Sequence, residues 1–324
     1  MRRQATCPPR RVRRARASAA AAIVLLAAWP ASAQAPTELG PVEPAPHLAL
    51  PSWTTLRFGA SKLWLSASTT VTVEQVPAER LAAELRVAPE GSGVPLPVGL
   101  VTVLTTDSDL PFGRTERMTV WLDPADGAAI QATKVTEGRR PYAKVFRYTT
   151  TGCFVWRSAP ADATERAQAV GAWSQHKEAG VRVEIPDGVV VTDPYALLYL
   201  VSAARLDRRG SRLSLFILTD AAIAEVDFVA AGLTYLDRTF EESWPGGGRI
   251  RKGQVLVRTV HGTARLLAGA DGSGVDLGFL GLHNGLTIDL ETGTGLPVEV
   301  RGQTEHLGDV TVHLDRAVLR EPPP

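Results

Sequence analysis

The sequence predicts a mainly β protein: one strongly curved antiparallel sheet, a half-barrel or open barrel, with one main buried helix. Three observations predict it. From Leu286 to Leu319 apolar and polar side chains alternate, with Leu286, Ile288 and Leu290 set against Thr287, Asp289 and Glu291. After the turn residues Thr292-Gly293-Thr294-Gly295, the pattern returns in Leu296, Val298 and Val300 and again in Val310, Val312 and Leu314. Successive strand side chains point to opposite faces, so this stretch reads as three strands with one buried face. Comparable alternation recurs through most of the chain after Trp53, and one segment alone, from Asp193, trades it convincingly for helix signals. A sheet with an apolar face must cover it with a second layer.

The first 33 of the 324 residues read as a signal peptide. Seven arginines between Arg2 and Arg16 precede the uncharged run Ala17 to Trp29, and Ala31-Ser32-Ala33 supplies small residues for cleavage after Ala33. That run falls short of the roughly 20 residues that span a bilayer. The mature chain is therefore expected in the periplasm or outside the cell, with no transmembrane segment; general secretion is preferred to twin-arginine export. Removing those seven arginines from the 35 basic residues leaves 28 against 34 acidic ones, a balance of −6. A mildly acidic protein is poorly suited to nucleic acid, whose binding rests on neutralising phosphates. Cys7 leaves with the signal peptide, so Cys153 remains without an internal disulfide partner and reads as a small core residue.

Residues 34–55 carry Pro36, Pro41, Pro44, Pro46 and Pro51 without periodicity and read as a linker. Residues 56–320 read as a single mostly β domain, with a split near 192 as the alternative. Leu63, Leu65 and Ala67, then Val71 and Val73, mark early strands; Pro77 to Leu85 has the composition of a short helix or a polar connection. Strands follow over Val98 to Thr106 and through Met118, Val120 and Leu122. Asp123-Pro124-Ala125-Asp126-Gly127 then turns the chain back through Ile130 to Val135. Tyr142 to Tyr148 and Cys153 to Arg157 flank a second turn, Ala159 to Gly180 reads as a long irregular loop or helical insert, and Val181 to Val191 as two short strands. Asp193-Pro194 supplies an N-cap and a first-turn proline for a helix of about three turns over Tyr195 to Leu206, apolar on most sides and so buried. Strands resume with Leu213 to Ile217, Ala224 to Phe228, Leu233 to Phe240 and Val255 to Val260.

No nucleophile elbow, phosphate loop or His-Glu-x-x-His motif is present. His306 and His313 lack a third metal ligand at matching spacing, and Asp271 to Asp276 reads as a glycine turn rather than a calcium loop. Arg249, Arg251 and Lys252 after Gly246-Gly247-Gly248 read as a solvated hairpin, and Glu241 and Glu242, being adjacent on a strand, point apart. No cofactor, metal or catalytic residue is expected. A hydrolase would need two or more of Asp271, Asp276, His283, His306 and His313 to converge. The large aromatics are more informative. Trp64 lies opposite Leu63 and Leu65, Trp121 opposite Val120 and Leu122, and Phe154 and Trp156 opposite Cys153 and Val155. Strands apolar on both faces need the helix, another sheet or a ligand on the second face.

Tyr142-Ala143-Lys144-Val145-Phe146-Arg147-Tyr148, Val183-Glu184-Ile185-Pro186-Asp187-Gly188, Asp193-Pro194-Tyr195-Ala196-Leu197-Leu198-Tyr199 and Leu296-Pro297-Val298-Glu299-Val300 together resemble the bacterial domain-of-unknown-function family 3108. The resemblance implies an exported, mostly β domain similar to the half-barrels of lipoprotein carriers, and brings no catalytic residue. The expected function is non-enzymatic binding of a lipid, acyl chain or apolar peptide segment in the cell envelope. Trp64, Trp121, Trp156, Tyr195, Leu198 and Tyr199 are the candidates to line the groove. The alternative is an envelope adaptor that pairs a strand edge with a partner protein.

Overall fold

A computed structural model describes residues 48–62, 65–89, 93–150, 152–182, 189–218, 222–269, 282–304 and 308–322. The residues read as a signal peptide, most of those read as a linker, Trp64, residues 183–188, residues 271–276 and His306 lie outside the described residues.

Strands β1 (Trp53–Lys62), β2 (Leu65–Pro77), β3 (Leu100–Leu110), β4 (Arg114–Leu122), β5 (Ala129–Thr136), β6 (Tyr142–Thr149), β7 (Gly152–Ala159) and β8 (Gln175–Arg182) pair in sequence order as an antiparallel meander. From β1 the same sheet continues the other way through β15 (Gly308–Leu319), β14 (Pro297–Thr304), β13 (His283–Glu291), β12 (Gly247–Gly269), β11 (Ala222–Trp244), β10 (Arg212–Leu218) and β9 (Val191–Thr192). Strands on both sides of residue 192 thus belong to one curved sheet, which already begins at Trp53, inside the stretch read as linker. Among the described residues there are three short α-helices: α1 (Ala78–Leu81), α2 (Ala163–Arg166) and α3 (Leu197–Ala203).

Every residue of α3 is buried, and the helix fills the concave side of the sheet. Each of its Leu and Val side chains contributes about 2 kcal/mol of burial. Asp193 starts it as expected: one carboxylate oxygen accepts from the Tyr195 N–H at 2.8 Å, and the other accepts from the Tyr148 hydroxyl at 2.6 Å. A single 3-10 turn, Pro194–Ala196, precedes the α-helix, which is shorter than the sequence implies. It ends before Leu206 because Arg205 adopts φ +46°, which turns the chain back and returns Leu206 to the core. The Asp123 turn touches this helix through Gly127. Its φ is +81°, which favours glycine, and a Cβ there would stand 2.4 Å from Leu200 Cδ2 and force that side chain to shift.

The stretch read as a loop up to Gly180 is a strand from Gln175 onward. β8 lacks an apolar stripe because it is an exposed edge, held by backbone pairing to β7. The preceding turn is fixed locally. Asp162 accepts from the N–H groups of Thr164 and Glu165, while the Glu165 carboxylate accepts from those of Ala161 and Ser174.

The strands that looked one-sided are covered on both faces. Leu286, Ile288, Leu290, Val298, Val300, Val312 and Leu314 enter the main core as expected. On the other face Asp289, Glu291 and Glu299 are buried as well. The hairpin of β11 and β12 slips register between Ala230 and Leu233, and β11 then pairs in parallel with β15 at Glu241 to Ser243. This closes a ring of five strands, β11 to β15, over the carboxylates. Arginines meet them there: Arg251 bridges Glu242 (3.0 Å) and Glu291 (3.4 Å), Arg249 reaches Glu242 at 2.7 Å, and Arg301 reaches Asp289 at 2.7 Å. Glu299 is held by Arg238 and by His313 Nδ1 at 2.9 Å. Glu242 is buried and Glu241 exposed, as their adjacency predicts.

Candidate functional site

On the far side of β3 to β7 from α3, the same strands present a second apolar face. Its inner part is closed by the chain itself. Ala78 and Leu81 of α1 cover Val101, Trp121 and Ile130, with Leu85, Val94 and Leu96 packed around them. The segment from Glu84 to Val94 is then latched to the sheet by two buried polar side chains. Gln131 accepts from the Arg86 N–H (2.8 Å) and donates to the Glu84 carbonyl (3.1 Å). Arg147 donates to four carbonyls: Arg86 (3.0 Å), Val94 (2.6 Å), Ile130 (2.6 Å) and Tyr148 (3.1 Å). Burial pulls the Arg147 pKa below its usual value, yet a guanidinium remains charged in any accessible range.

Beyond the latch, the far face opens around Trp156. A cavity of about 340 Å³ runs over Val135, Ala143, Val145 and Trp156 and is roofed by Val170 and Gly171 from the loop before β8. Arg86, Ser158, His176 and Glu178 stand at its border. Its size falls within the range of small-ligand sites. A second opening over Ala83 to Val87 shares Arg86 and Trp156, so the Trp156 ring stands between the two. Phe154 props that ring, their centroids 6.4 Å apart, and is itself seated on Gly180, where a Cβ would come within 3.3 Å of the Phe154 ring. Ser158 Oγ and His176 Nδ1 lie 3.2 Å apart because β7 and β8 place them opposite each other. Among the described residues no group of three or more His, Cys, Asp or Glu side chains assembles as metal ligands.

No family model and no curated protein matches this chain. A solved structure does: the crystal structure of a β-barrel-like protein of the domain of unknown function DUF1849 from Brucella abortus. It covers 85% of this chain and 100% of its own, with 9% sequence identity and a TM-score of 0.41. That domain is a different one from the family 3108 that the sequence motifs resemble.

Of the six residues expected to line one groove, the five that lie among the described residues are divided between the two faces. Trp156 borders the cavity, and Trp121 lies on the same face but is only 6% exposed beneath the Ala78 to Leu96 segment. Leu198 and Tyr199 are core residues on the concave side, 4% and 2% exposed. Trp64 lies outside the described residues. Tyr195 reaches from the start of the helix to the sheet, where its hydroxyl bonds Glu116 and accepts from Lys134 Nζ at 2.8 Å. Val135, Val145 and Arg86 line the cavity without having been singled out. Their alternation is visible in the sequence, but which face stays uncovered depends on where Pro77 to Leu96 folds back. Another opening, about 550 Å³ at the C-terminal end of α3, mixes Arg205, Arg258 and Arg320 with Asp207, Glu291 and Glu321. Cys153 is buried in the core.

The Tyr195 anchor makes stability depend on acid. Burial alone would raise the Glu116 carboxyl, but the Lys134 ammonium (3.0 Å), the Tyr195 hydroxyl and Arg114 together hold it below the ordinary 4.5. Glu291 is likewise lowered: Thr294, Arg251 and the Gly293 N–H outweigh its burial. A carboxyl whose folded pKa is depressed stabilises the fold fully above its unfolded pKa and loses that contribution as pH falls through the folded value. Thermal unfolding followed from pH 6 downward should therefore show Tm falling once the pH drops below about 4.5. Glu116→Gln should flatten that fall; an unchanged slope would remove Glu116 from the account.

Proposed function

We propose that this chain is a non-enzymatic binding domain of the cell envelope that holds an apolar ligand, such as an acyl chain, a lipid or an apolar peptide segment, against Trp156. The observation that carries this reading is the cavity of about 340 Å³ on the far face. Its floor of Val135, Val145 and Trp156 would otherwise belong in a core, and its roof comes from a short turn rather than a second sheet. The reading is supported by the first 33 residues, whose sequence reads as an export signal and would bring such a site to where lipids and lipidated proteins are handled. No helix among the described residues is long and apolar enough to cross a membrane.

The test is native mass spectrometry of protein recovered from the envelope, joined to titration with a spin-labelled fatty acid. A co-purifying lipid mass and saturable uptake of the probe are expected. Trp156→Ala should weaken uptake about tenfold or more, from the loss of roughly 1.5–3 kcal/mol of buried aromatic surface. Protein that is repeatedly empty and that no acyl probe enters would defeat the reading.

The second reading is an envelope adaptor working through a strand edge. Its supporting observation is that β8 ends the strand order and is exposed from Gln175 to Gly180. Cross-linking from β8 to one stoichiometric protein, with no small molecule retained, would favour it.

A further inference from the structure

Three arginines from distant parts of the chain line the opening of about 550 Å³ at the C-terminal end of α3: Arg205 just after the helix, Arg258 on β12 and Arg320 just after β15. Each is held there differently. Arg258 stands directly opposite the core residue Leu290 and two positions from Val260, so it lies on the core face of its strand, at the end of the apolar layer. Its Nη1 donates to the Ala231 carbonyl at 3.0 Å. Arg320 is tied down where the chain leaves β15: its N–H donates to the Ser52 carbonyl at 2.8 Å and its Nε to the Pro51 carbonyl at 3.1 Å. Arg205 is placed by its backbone, whose φ of +46° lies in the left-handed region that glycine and asparagine adopt at less cost than a long side chain. The return of Leu206 to the core demands that φ but does not demand an arginine.

The three guanidiniums have donors to spare. Among the described residues none of them makes an ion pair, although Asp207, Glu291 and Glu321 border the same opening. Glu291 is already engaged: it pairs with Arg251 at 3.4 Å and accepts from Thr294 Oγ1 at 2.6 Å. Asp207 and Glu321 are exposed. Arg320 Nη2 is buried with no hydrogen-bond partner among the described residues, and shutting a charged donor away from water without an acceptor is unfavourable. Beside these cations stands an apolar wall of Leu50 and Pro51, with Leu50 44% exposed.

We infer that Arg205, Arg258 and Arg320 form a site for a small organic anion, a carboxylate or phosphate monoester carried on an apolar body. The planar fork of an arginine matches two oxygens of either group with two parallel N–H donors, and three such cations outnumber the two exposed carboxylates at the mouth. Leu50 and Pro51 offer the surface on which the apolar body rests. The site goes beyond the apolar-ligand reading, because no residue that lines it also lines the Trp156 cavity.

The test is a ligand-observed NMR titration of the full chain with benzoate and phenyl phosphate, set against benzylamine and benzyl alcohol as cationic and neutral probes of similar size. Both anions should bind saturably, and the other two about tenfold more weakly or not at all. Preference for phenyl phosphate identifies the phosphate ester as the favoured class, and preference for benzoate the carboxylate. Arg258→Gln should weaken anion binding about tenfold. Arg205→Asn should weaken it by a similar factor while Tm holds or rises by about 2 °C, because asparagine accepts the left-handed backbone. Loss of binding in a protein at least as stable as the wild type separates recognition from a structural role. Asp207→Asn, which removes a carboxylate from the mouth, should tighten binding about twofold. The double variant Arg208→Gln, Arg209→Gln takes two exposed charges from outside the opening and should leave the affinity unchanged. Trp156→Ala should leave it unchanged too, which separates failure of this inference from failure of the apolar site. A wild-type chain that binds neither anion, equal binding of benzylamine or benzyl alcohol, or undiminished affinity in folded Arg205→Asn and Arg258→Gln would overturn the assignment.

Discussion

Asp193→Ala is expected to destabilise the fold by roughly 2–4 kcal/mol, which for a chain of this size lowers Tm by about 5–15 °C. Two losses add. The Tyr195 N–H at the helix start loses its acceptor at 2.8 Å, worth about 1 kcal/mol for a cap. The Tyr148 hydroxyl, in a side chain 1% exposed, loses its short bond of 2.6 Å to the carboxylate and keeps only the Leu218 carbonyl at 3.5 Å, and a poorly met buried polar group costs about 1–3 kcal/mol. Asp193→Asn keeps an acceptor for the cap and should recover much of the loss. Tyr148→Phe in the Asp193→Ala background should cost little more, because the hydroxyl then has only the longer bond to the Leu218 carbonyl, at 3.5 Å, to lose. Urea unfolding of the four proteins completes a double-mutant cycle. A change below about 0.5 kcal/mol in Asp193→Ala would show that burial alone seats the helix.

The same residue shows how much of the fold could be read in advance. Asp193-Pro194 followed by Leu197, Leu198, Leu200 and Val201 signals a buried helix through local chemistry, and the structure places that helix in the core. The alternation from Leu286 to Leu314 is equally local. What alternation does not carry is whether the polar side meets water. Asp289 and Glu299 look like solvent-facing residues, yet they lie beneath a hairpin some forty to sixty positions earlier, and the arginines that pair with them are unremarkable in sequence. β8 was illegible for the opposite reason: an exposed edge held by backbone hydrogen bonds needs no apolar period. At the candidate site, Trp156 stood out as an aromatic on the wrong face. Its neighbours did not, because the cavity is defined by where the covering segment stops, and that is set by Arg147, which reads as an ordinary surface charge between Phe146 and Tyr148.

Arg147→Met tests that dependence and should have the second large effect. Methionine is long and unbranched enough to occupy much of the space, but it donates no hydrogen bond, so the carbonyls of Arg86 and Val94 lose their donor at 3.0 and 2.6 Å. Hydrogen bonds from a charged donor are worth more than neutral ones, while burying the guanidinium costs desolvation. The net loss should be about 2–4 kcal/mol. Because two of the four bonds hold the Glu84 to Val94 segment, the loss should also be local. Amide hydrogen exchange should accelerate across that segment while α3 stays protected, and Trp121 beneath it should become accessible to quenchers. Gly93→Ala should reach the same state by a different route, since a Cβ there would stand 2.5 Å from Arg147 Nη2. Agreement between a variant that removes donors and one that only adds a methyl group would identify the Arg147 latch as the element that sets the inner limit of the Trp156 cavity, through Arg86, which belongs to both. If Arg147→Met left the segment protected, the contacts of Leu81, Leu85, Val94 and Leu96 would be sufficient by themselves, and the cavity border would be set by apolar packing.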